Sequence, residues 1–365
     1  MLVKKLVLDG FRNIQDKEID TSAKQVILTG DNGQGKTNIL EAVYMLCYGT
    51  SFRTHNIKDI IKHNAQRLYI SSYFEDSLGL QRNSEVIFSD GKKSIRLDGK
   101  EITDRKELMY CLPCIVFSHD DIEFVRGEPE SRRRFFDQIL TMYDRVYFDD
   151  LRRYKIILRQ RNAAIKDQRI QLLDIYDRQL ASYGLHLMAA RSAFITSFSA
   201  IFPDIYNAVS LEDKKIDVRY RPSWSLDLTE DAIIKKLYDQ RSVDLKMNTT
   251  TSGPHRDRFI ITDNGSSFSS SASTGQMRLA SLIFRSAQAA FYRQKTAQNP
   301  IFLIDDVLLE LDTPKRARYL SYLGHYNQAF FTFLPEERYF DSMFDISGPD
   351  TIRYTVSNGR FIDAT

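Results

Sequence analysis

The stretch Gly30-Asp-Asn-Gly-Gln-Gly35-Lys36-Thr37 decides the fold, because it matches the pattern Gly-x4-Gly-Lys-[Ser/Thr] in full. It follows an apolar stretch, residues 25–29, that is typical of a strand. It precedes residues 38–48, whose apolar spacing predicts a buried helix closed by Gly49. A strand, a glycine-rich loop and a helix in this order surround phosphates with backbone N–H groups and the positive end of the helix. The sequence therefore predicts a binding site for a nucleoside triphosphate, which we take to be ATP.

The side chains of this loop have distinct expected roles. Lys36 would neutralise oxygens of the β- and γ-phosphates, and Thr37 would be a ligand of Mg²⁺. The residues expected to contact the nucleotide are Gly30, Asp31, Asn32, Gly33, Gln34, Gly35, Lys36, Thr37 and Asn38.

A second part of the site is expected at Pro300-Ile-Phe-Leu-Ile-Asp305-Asp306, an apolar strand that ends in two carboxylates. Asp305 would hold the Mg²⁺ shell together with Thr37, and Asp306 would polarise the attacking water. The two are the candidate catalytic residues. Apolar strands that end in Asp are common, so this interpretation depends on the pairing with the phosphate loop.

A third part is expected at Ser273-Thr-Gly275-Gln276, which stands at a predicted helix start. A serine hydroxyl and backbone N–H groups at a helix N-terminus form a second cradle for phosphate, so Ser273, Gly275 and Gln276 are candidate nucleotide contacts. One chain is not expected to close both cradles on the same phosphate.

Composition limits the possible partners. The 365 residues include 51 Lys and Arg against 48 Asp and Glu, a formal net charge of +3, which is too small to create a strong field over the whole surface. Any nucleic-acid site must therefore be a local patch. The first ten residues are broken by charge before an apolar core of signal-peptide length, and no uncharged apolar run reaches about 18 residues. We expect a cytoplasmic protein with no membrane partner.

The texture of the chain changes twice. The first hundred residues are mainly strand-like, and residues 132–210 form a glycine-poor, Arg-, Gln- and Leu-rich stretch that favours two long antiparallel helices interrupted near 166–169. Strand signals return at 215–220 and 259–262. We predict an ATPase head built from residues 1–117 and 250–365, with a helical lobe of residues 118–249 inserted between its halves.

The order of phosphate loop, inserted region, Ser-x-Gly-Gln signature, apolar strand with two carboxylates and then Leu309-Glu-Leu-Asp312 resembles an ABC-type ATPase. Within that class the chain resembles the RecF family of bacterial recombination-repair proteins along nearly its whole length. The residues that carry this resemblance, besides the phosphate loop, are Phe11-Arg-Asn13, Ser51-Phe-Arg-Thr54, Gly127-Glu-Pro-Glu-Ser-Arg-Arg133, Gln160-Arg-Asn162 and Gly253-Pro-His-Arg-Asp257.

The resemblance implies an α/β fold: an ABC-type P-loop ATPase head, with mixed sheets around a phosphate-loop helix, related to SMC heads and carrying an inserted helical lobe. It implies ATP and Mg²⁺ as cofactors and an ATP-dependent homodimer in which the signature of one protomer caps the ATP of the other. It also implies DNA repair and replication-gap processing on gapped, single-stranded or junction DNA, with RecR and RecO as partners. Slow hydrolysis would release the DNA, and the protein would help load recombinase and support the SOS response. Arg12 is a further candidate nucleotide contact, because the equivalent arginine in related heads approaches the nucleotide, although a surface ion pair is the alternative.

Three departures from the ABC and RecF patterns bear on turnover. Thr274 stands where many ABC proteins have Gly, no switch histidine follows the strand 328–332, and Arg258 stands where the family pattern has a second Asp. Asp306 also replaces the longer Glu of transporters. The hypothesis is that Asp306 sets the water poorly, so that hydrolysis is a slow timer.

The candidate DNA contacts are arginines near the start of the lobe, interleaved with aromatic residues. Cations that reach phosphates, with few groups that read bases, suit sequence-independent and salt-sensitive binding. Asp144, Asp149 and Asp150 lie close enough in sequence to make ion pairs with several of them, so a solvated helix of ion pairs is an equal alternative. The residues concerned are Arg132, Arg133, Arg152, Arg153 and Arg159.

The sequence does not decide the roles of two histidines or the function of the whole chain. His119 falls where ABC proteins place a loop that senses Mg²⁺ and γ-phosphate, or is an ordinary loop residue, and His255 could orient a charge network with Arg256 and Asp257. Besides an ATP-dependent DNA switch, the sequence leaves open a monomeric P-loop kinase or GTPase acting on a small molecule, and a nucleotide-gated clamp without significant hydrolysis. No Asn-Lys-x-Asp guanine signature is present, and a kinase would leave Ser273–Gln276 without a role.

Overall fold

The computed structural model describes residues 1–76, 78–212, 214–323, 326–336 and 348–363. The chain divides into two compact units. The first, here called the head, comprises Met1–Asp120 and Gln288–Thr365, and the second, called the lobe, comprises Asp121–Ala287.

The strands are β1 Leu2–Asp9, β2 Glu18–Asp20, β3 Gln25–Thr29, β4 Leu68–Glu75, β5 Gln81–Ser89, β6 Lys92–Leu97, β7 Lys100–Glu101, β8 Cys114–Phe117, β9 Ile216–Arg221, β10 Arg258–Asp263, β11 Ser266–Ser267, β12 Ile301–Asp305, β13 Gln328–Phe333, β14 Thr351–Ser357 and β15 Arg360–Asp363. The α-helices are α1 Lys36–Tyr48, α2 Lys106–Cys111, α3 Ile122–Arg126, α4 Pro129–Tyr143, α5 Arg145–Lys166, α6 Leu173–Phe198, α7 Phe202–Ser210, α8 Glu230–Asp239, α9 Arg241–Met247, α10 Phe268–Ser271, α11 Thr274–Thr296 and α12 Thr313–Tyr322.

The described strands of the head form two sheets. One is antiparallel, in the order β2-β1-β4-β5-β6-β7. Two of its hairpins turn at Asp90-Gly91 and Asp98-Gly99, where all four residues have the positive φ that Asp-Gly pairs favour. The other has the order β15-β14-β3-β13-β12-β8, with β14, β3, β13, β12 and β8 parallel. The strand β3, which leads into the phosphate loop, therefore lies between two strands that follow it by some three hundred residues.

Helix α1 is apolar on nearly all sides because it packs against strands of both sheets. Ile39, Leu40, Val43 and Leu46 are completely buried in a hydrophobic core of the head. Burial of each such side chain contributes about 1.5–3 kcal/mol, so the helix that positions the phosphate loop is firmly held.

The lobe is mainly helical. Helices α5 and α6 pack along each other and are separated by residues 167–172, in agreement with the predicted antiparallel pair, and α4 is a further helix that begins at Pro129. A small antiparallel sheet, β11-β10-β9, completes the described part of the unit.

The compact units differ from the predicted division at one end. The first boundary lies after Asp120, close to the predicted 117, but residues 250–287 belong to the lobe rather than to the head. The reason is that β10 pairs with β9 along its whole length and Asp257 makes an ion pair with Arg191, so this segment is bonded within the lobe.

Two local features, one in the head and one in the lobe, need separate description. The apolar residues 110–117 are typical of one buried strand in the sequence, but Tyr110 and Cys111 end helix α2 and only Cys114–Phe117 is strand. Among the described residues, the helical stretch Ile170–Ser210 is long and apolar enough to cross a membrane by length and composition alone. It carries the buried charges Asp177 and Arg191, both paired with neighbouring helices, which is typical of a helix packed inside a protein.

Candidate functional site

The phosphate loop leads directly into helix α1, which begins at Lys36. Gly35, the N-cap residue, has φ 118°, and a β-carbon there would lie 2.9 Å from Asn13 Oδ1. Glycine is therefore required at this position by both conformation and space. The amide of Asn13 supports the loop from behind, because its Nδ2 donates to the carbonyl oxygens of Gly33 and Gln34 at 3.3 and 3.2 Å.

The C-terminal hairpin supports the same loop. The N–H of Gly359 donates to the carbonyl oxygen of Gln34 at 2.9 Å, and the N–H of Asn358 donates to Gln34 Oε1 at 2.7 Å. Gly359 has φ 74°, and a β-carbon there would lie 2.0 Å from the carbonyl oxygen of Asn13. The outward part of the loop, residues 31–33, is exposed, so its backbone is accessible to a ligand.

Lys36 is buried, and its ammonium group is held inside the loop. Nζ donates to the carbonyl oxygens of Gly30 at 2.6 Å and Asp31 at 3.2 Å, and it lies 3.8 Å from Asp306 Oδ2. Two of these partners are neutral carbonyl oxygens, and the carboxylate is too distant for a strong ion pair. Phosphate oxygens can therefore replace them as partners of the buried ammonium group.

Thr37 and Asp305 meet although they are 268 residues apart: the Thr37 hydroxyl donates to Asp305 Oδ1 at 2.8 Å. Strands β12 and β13 are parallel neighbours in a register that places Thr332 beside Asp305, and the Thr332 hydroxyl lies 3.1 Å from the same oxygen. Burial raises the pKa of Asp305, and the neighbouring carboxylate of Asp306 adds to the effect, whereas the hydroxyl of Thr37 opposes it. A cation beside Asp305 would stabilise its charged form.

Asp306 has an unusual backbone conformation, with φ 51° and ψ 12°. These angles lie in the left-handed region, which residues other than Gly, Asn and Asp rarely adopt. Its N–H donates to Thr332 Oγ1 at 2.8 Å. Its Oδ1 is buried and has no hydrogen-bond partner among the described residues. An unsatisfied buried carboxylate oxygen next to Thr37 and Asp305 fits a site that takes a hydrated cation, so these residues suit Mg²⁺.

Arg12 is held against the phosphate-loop helix. It also has a positive φ, 47°, and its Nε and Nη2 donate to the two carboxylate oxygens of Glu41 at 2.9 and 2.7 Å. Glu41 is completely buried, and it also accepts from the Ser51 hydroxyl at 2.5 Å and lies 3.4 Å from Arg53 Nη1. Arg12 therefore makes an ion pair, as one alternative proposed, but with a buried carboxylate beside the nucleotide loop.

Asn38 joins the same network from the first turn of α1. Its Nδ2 donates to Asn13 Oδ1 at 2.7 Å, and its Oδ1 accepts from Arg53 Nη1 at 2.8 Å. The two motifs around Phe11 and Ser51 thus converge on one helix face. They line a cavity of about 630 Å³ together with the phosphate loop, a size suited to a nucleotide. Other residues around it are Asp59, Ile61, Lys62, His63 and Asp306.

The Ser273 segment lies in the lobe and caps helix α11. The N–H of Gln276 donates to Ser273 Oγ at 3.2 Å, and the N–H of Ser273 donates to Gln276 Oε1 at 3.0 Å, which is a reciprocal capping box. Gln276 Nε2 also donates to the carboxylate of Glu212 at 3.1 Å. A β-carbon at Gly275 would meet only Ser273 Oγ, at 4.0 Å, so its surroundings in the described chain do not require glycine.

The candidate DNA contacts divide into two groups. Arg132 and Arg133 are partly buried and donate to backbone carbonyl oxygens, Arg132 to Gly127 at 2.9 Å and Arg133 to Asp257 at 2.8 Å. Arg152, Arg153 and Arg159 are exposed on helix α5. Arg153 donates to the Tyr183 hydroxyl at 3.2 Å.

The histidines also differ. His119 is exposed in the turn after β8 and lies close enough to Asp305 to lower the pKa of that carboxyl slightly against the effect of burial. His255 lies in the lobe, where Nδ1 bonds the Tyr154 hydroxyl at 2.8 Å and Nε2 bonds the carbonyl oxygen of Thr250 at 3.0 Å. Since a carbonyl only accepts, Nε2 carries the proton and Nδ1 accepts from Tyr154.

Sequence reasoning did not assign roles to three residues of the head site. Asn13 and Glu41 support the loop and Arg12, and Thr332 bonds both Asp305 and the N–H of Asp306. A signal existed for Thr332, because it ends the strand 328–332, which is the next strand that the sequence predicts after the one that ends in Asp305. The pairing of Glu41 with Arg12 leaves no such local pattern.

Known proteins resemble this chain over most of its length. The family model described as RecF/RecN/SMC N terminal domain matches residues 2–345. The chain is 42% identical to the DNA replication and repair protein RecF of Treponema pallidum (strain Nichols) over 334 residues, 90% of this chain and 93% of that protein. It is 34% identical to the protein of the same description from Clostridium botulinum (strain Okra / Type B1) over 321 residues, 87% of this chain and 88% of that one.

Solved structures agree. The structure described as the recombination mediator protein RecF-ATP in the RecFOR pathway has a TM-score of 0.89 and 25% identity, and the match covers 100% of this chain and 98% of that one. An SMC head bound to the C-winged helix domain of ScpA has a TM-score of 0.55 at 16% identity over the same shares of the two chains, which shows a common fold.

The fold and the site define an ABC-type P-loop ATPase head that carries an inserted helical lobe. The identity over nearly all of the chain makes the assignment narrower. The chain belongs to the RecF family.

Proposed function

We propose that this chain is an ATP-dependent DNA-binding protein of recombinational repair and replication-gap processing. One observation carries the nucleotide half of the proposal: Lys36, Thr37, Asp305 and Asp306 gather at one loop, with the Thr37 hydroxyl 2.8 Å from Asp305 although the two are far apart in sequence. The related structure described as RecF-ATP supports ATP as the nucleotide. The names of the relatives support a role in DNA replication and repair.

The residues of the head suit distinct tasks in hydrolysis. Thr37 and Asp305 would hold Mg²⁺, which when bound neutralises charge on the β- and γ-phosphates. Lys36 would bind phosphate oxygens after leaving the carbonyls of Gly30 and Asp31. Asp306 would accept the proton of the attacking water through its unsatisfied Oδ1.

Slow hydrolysis follows from the reach of Asp306. Its side chain is one carbon shorter than Glu, and its backbone is held in the left-handed region by the bond from its N–H to Thr332. Adjustment toward the water is therefore restricted. A clamp without significant hydrolysis is the second candidate function, favoured by the same restriction. A steady-state ATPase assay separates the two, and a turnover of tens per second would contradict both.

The dimer half of the proposal rests on the Ser273 segment. Ser273 and Gly275 are exposed, and Gly275 has room for close approach of another molecule. Phosphate oxygens would have to replace the partners within the capping box, so ATP of one protomer would be capped by Ser273, Gly275 and Gln276 of a second copy. ATP occupancy would then report dimerisation.

The partners proposed for this function are DNA with gaps, single strands or junctions, together with RecR and RecO. The related RecF-ATP structure is described as part of the RecFOR pathway, and this description supports RecR and RecO as partners. Help in loading recombinase at gaps, support of the SOS response and a cytoplasmic location complete the proposal.

Removal of the loop cation tests this function. Lys36→Met should weaken ATP binding about tenfold or more, because a charge-assisted bond to phosphate contributes about 1.5–3 kcal/mol. ATP-dependent dimerisation and retention on gapped DNA should be lost together, as measured by sedimentation velocity with and without ATP and DNA. The matched control is Lys17→Met, which removes an exposed lysine of the head.

The outcomes separate the candidate classes. Dimerisation by ATP in the wild type and in Lys17→Met, but not in Lys36→Met, supports the switch. A wild-type chain that binds ATP but stays monomeric and ignores DNA supports the kinase alternative instead.

A further inference from the structure

The lobe contains a second cavity, of about 360 Å³, that the nucleotide site does not use. Its walls are one face of α4 and one face of α5, each with residues spaced three, four and seven apart as a helix face requires, together with Arg191 of α6 and the turn at 254–256. The residues from α4 are Glu130, Arg133, Arg134 and Asp137; those from α5 are Leu151, Tyr154, Lys155 and Leu158; those from the turn are His255 and Arg256.

The charges in the floor of this cavity are balanced. Arg191 is almost completely buried, with ion pairs to Asp137 at 2.8 Å and to Asp257 at 2.7 Å. The carboxylates of Asp137 and Asp257 are therefore already neutralised by Arg191.

The charges at its sides are not balanced. None of the four cations Arg133, Arg134, Lys155 and Arg256 has a carboxylate within ion-pair distance in the part of the chain that the structure describes. Arg133, Arg134 and Arg256 bond only neutral oxygens, those of Asp257 (its backbone carbonyl), Ser131 and Thr250. Glu130 is the one lining carboxylate among the described residues that Arg191 does not neutralise. Four cations thus face one free carboxylate.

The surroundings of two lining groups agree with this excess of positive charge. Burial lowers the pKa of Arg133, and the like charge of Arg191 lowers it further, whereas the carboxylates of Glu130, Asp137 and Asp257 act against this shift. Burial lowers the pKa of His255 to about 4, and the charges of Arg256 and Arg133 act in the same direction. His255 is therefore neutral at pH 7, and a bound anion would relieve the mutual repulsion of the cations around it.

Phosphate is the anion that this arrangement suits. Guanidinium groups present paired N–H donors that match phosphate oxygens, and the lysine adds a mobile point charge. The volume lies at the low end of small-molecule sites, so it holds a phosphate and little more than its attached sugar. The motifs at 127–133 and 253–257, which the nucleotide site does not employ, both contribute to this one cavity.

We propose that the cavity between α4, α5 and the turn at 254–256 is a second phosphate-binding site, which takes either a phosphate of a nucleic-acid backbone or a free phosphorylated anion. The backbone source rests on the proposed DNA binding. The free-anion source is independent of it.

The test uses the full chain saturated with a non-hydrolysable ATP analogue, so that the phosphate loop is filled. The variant Lys155→Gln with Arg256→Gln removes two cations of the cavity. The matched control Arg178→Gln with Lys235→Gln removes two exposed cations of the lobe that do not line it. Each protein is titrated with inorganic pyrophosphate while its melting temperature is measured, and with a single-stranded oligonucleotide over a salt series while anisotropy is measured.

A free-anion site predicts that pyrophosphate raises the melting temperature of the wild type and the control but not of the cavity variant. A backbone site predicts an affinity for the oligonucleotide about fivefold weaker than that of the control, and a salt slope smaller by about 0.7 for each phosphate that is no longer neutralised. Equal behaviour of cavity variant and control in both titrations overturns the proposal. If the double variant is unstable without ligand, Lys155→Gln alone decides, since Lys155 is exposed and has no ion pair among the described residues.

These outcomes are distinct from failure of the proposed function. A wild-type chain that does not bind DNA contradicts the function, and the pyrophosphate titration still decides the cavity.

Discussion

Arg159 and Arg161 stand two residues apart on helix α5 and have opposite surroundings. Arg161 is completely buried, with Nε 2.7 Å from Asp177 and Nη1 2.7 Å from Asp244. Arg159 is exposed and has no ion pair or hydrogen bond among the described residues. Two arginines of one helix therefore differ in role: Arg161 is part of the core of the lobe, and Arg159 is accessible to a partner.

The difference teaches that the helical period, rather than the density of arginine, separates structural from functional cations. Arg152 and Arg159 are seven residues apart and share the exposed face, whereas Arg161 faces inward. On α6, Arg191 repeats the buried case with Asp137 and Asp257. The expectation of a solvated helix of ion pairs thus misses the buried pairs, which lie between helices and not along one.

The largest expected effect is on the buried side. Arg161→Met would leave the buried carboxylate of Asp244 without its ion pair and Asp177 with Arg241 alone, and breaking a buried pair in this way costs about 3–5 kcal/mol. Urea denaturation should show this loss in the free energy of unfolding. Arg159→Met, the matched control on the same helix, should change it by about 0.5 kcal/mol or less. Equal losses in the two variants would break the comparison.

The next effect concerns His255, a neutral imidazole among arginines. Its pKa is about 4 in the folded chain against about 6.5 when unfolded, so the unfolded chain binds more protons between these values. The contribution of the neutral His255 to the free energy of unfolding is therefore complete above about pH 6.5. It is lost as the pH falls toward about 4, and the loss is about 3 kcal/mol at most. His255→Gln keeps a donor and an acceptor but does not titrate.

The measurement is the free energy of unfolding of both proteins between pH 7 and 4, because their difference removes the common effect of the carboxylates. The wild type should lose more stability than the variant over this window. Parallel profiles would show that His255 becomes protonated without cost, and thus that its site is not buried among cations.

The smallest effect on stability, and the one most specific to function, is expected on the exposed face. Reversal of Arg152, Arg153 and Arg159 to Glu should change the free energy of unfolding by about 1 kcal/mol or less. ATP-dependent retention on DNA should fall strongly at moderate salt, since attraction to phosphates is replaced by repulsion. Lys17, Arg178 and Lys235 changed to Glu provide a control with the same net charge. Unaltered retention in the first triple variant would remove these arginines from the DNA site.

The sequence correctly predicted the strand and the helix on either side of residues 30–35, because these elements are neighbours along the chain and their signals are local. It also identified Asp305 as the partner strand end, which the bond to Thr37 matches in space. The support for the loop was less accessible, because Glu41 looks like an ordinary helix residue until Arg12 and Ser51 are folded against it. Long-range polar pairs have no sequence period to reveal them.

The division of the chain shows a similar limit. Residues 250–287 were predicted to belong to the head because strand signals resume after the helical stretch, yet β10 completes a sheet of the lobe through β9. Strand propensity predicts that a segment pairs, but it does not predict with which partner.

The position of β3 between β13 and β14 has a consequence for biosynthesis. The ribosome makes the phosphate-loop strand early, but both of its neighbouring strands, and Gly359 that bonds Gln34, emerge some three hundred residues later. At about 5–20 residues per second, that delay lasts roughly 15–60 seconds. During it the lobe, whose segments are continuous in sequence, can fold by itself, while the nascent head has no finished pocket. A truncated chain released from a stalled ribosome would therefore carry a folded lobe without a competent nucleotide switch.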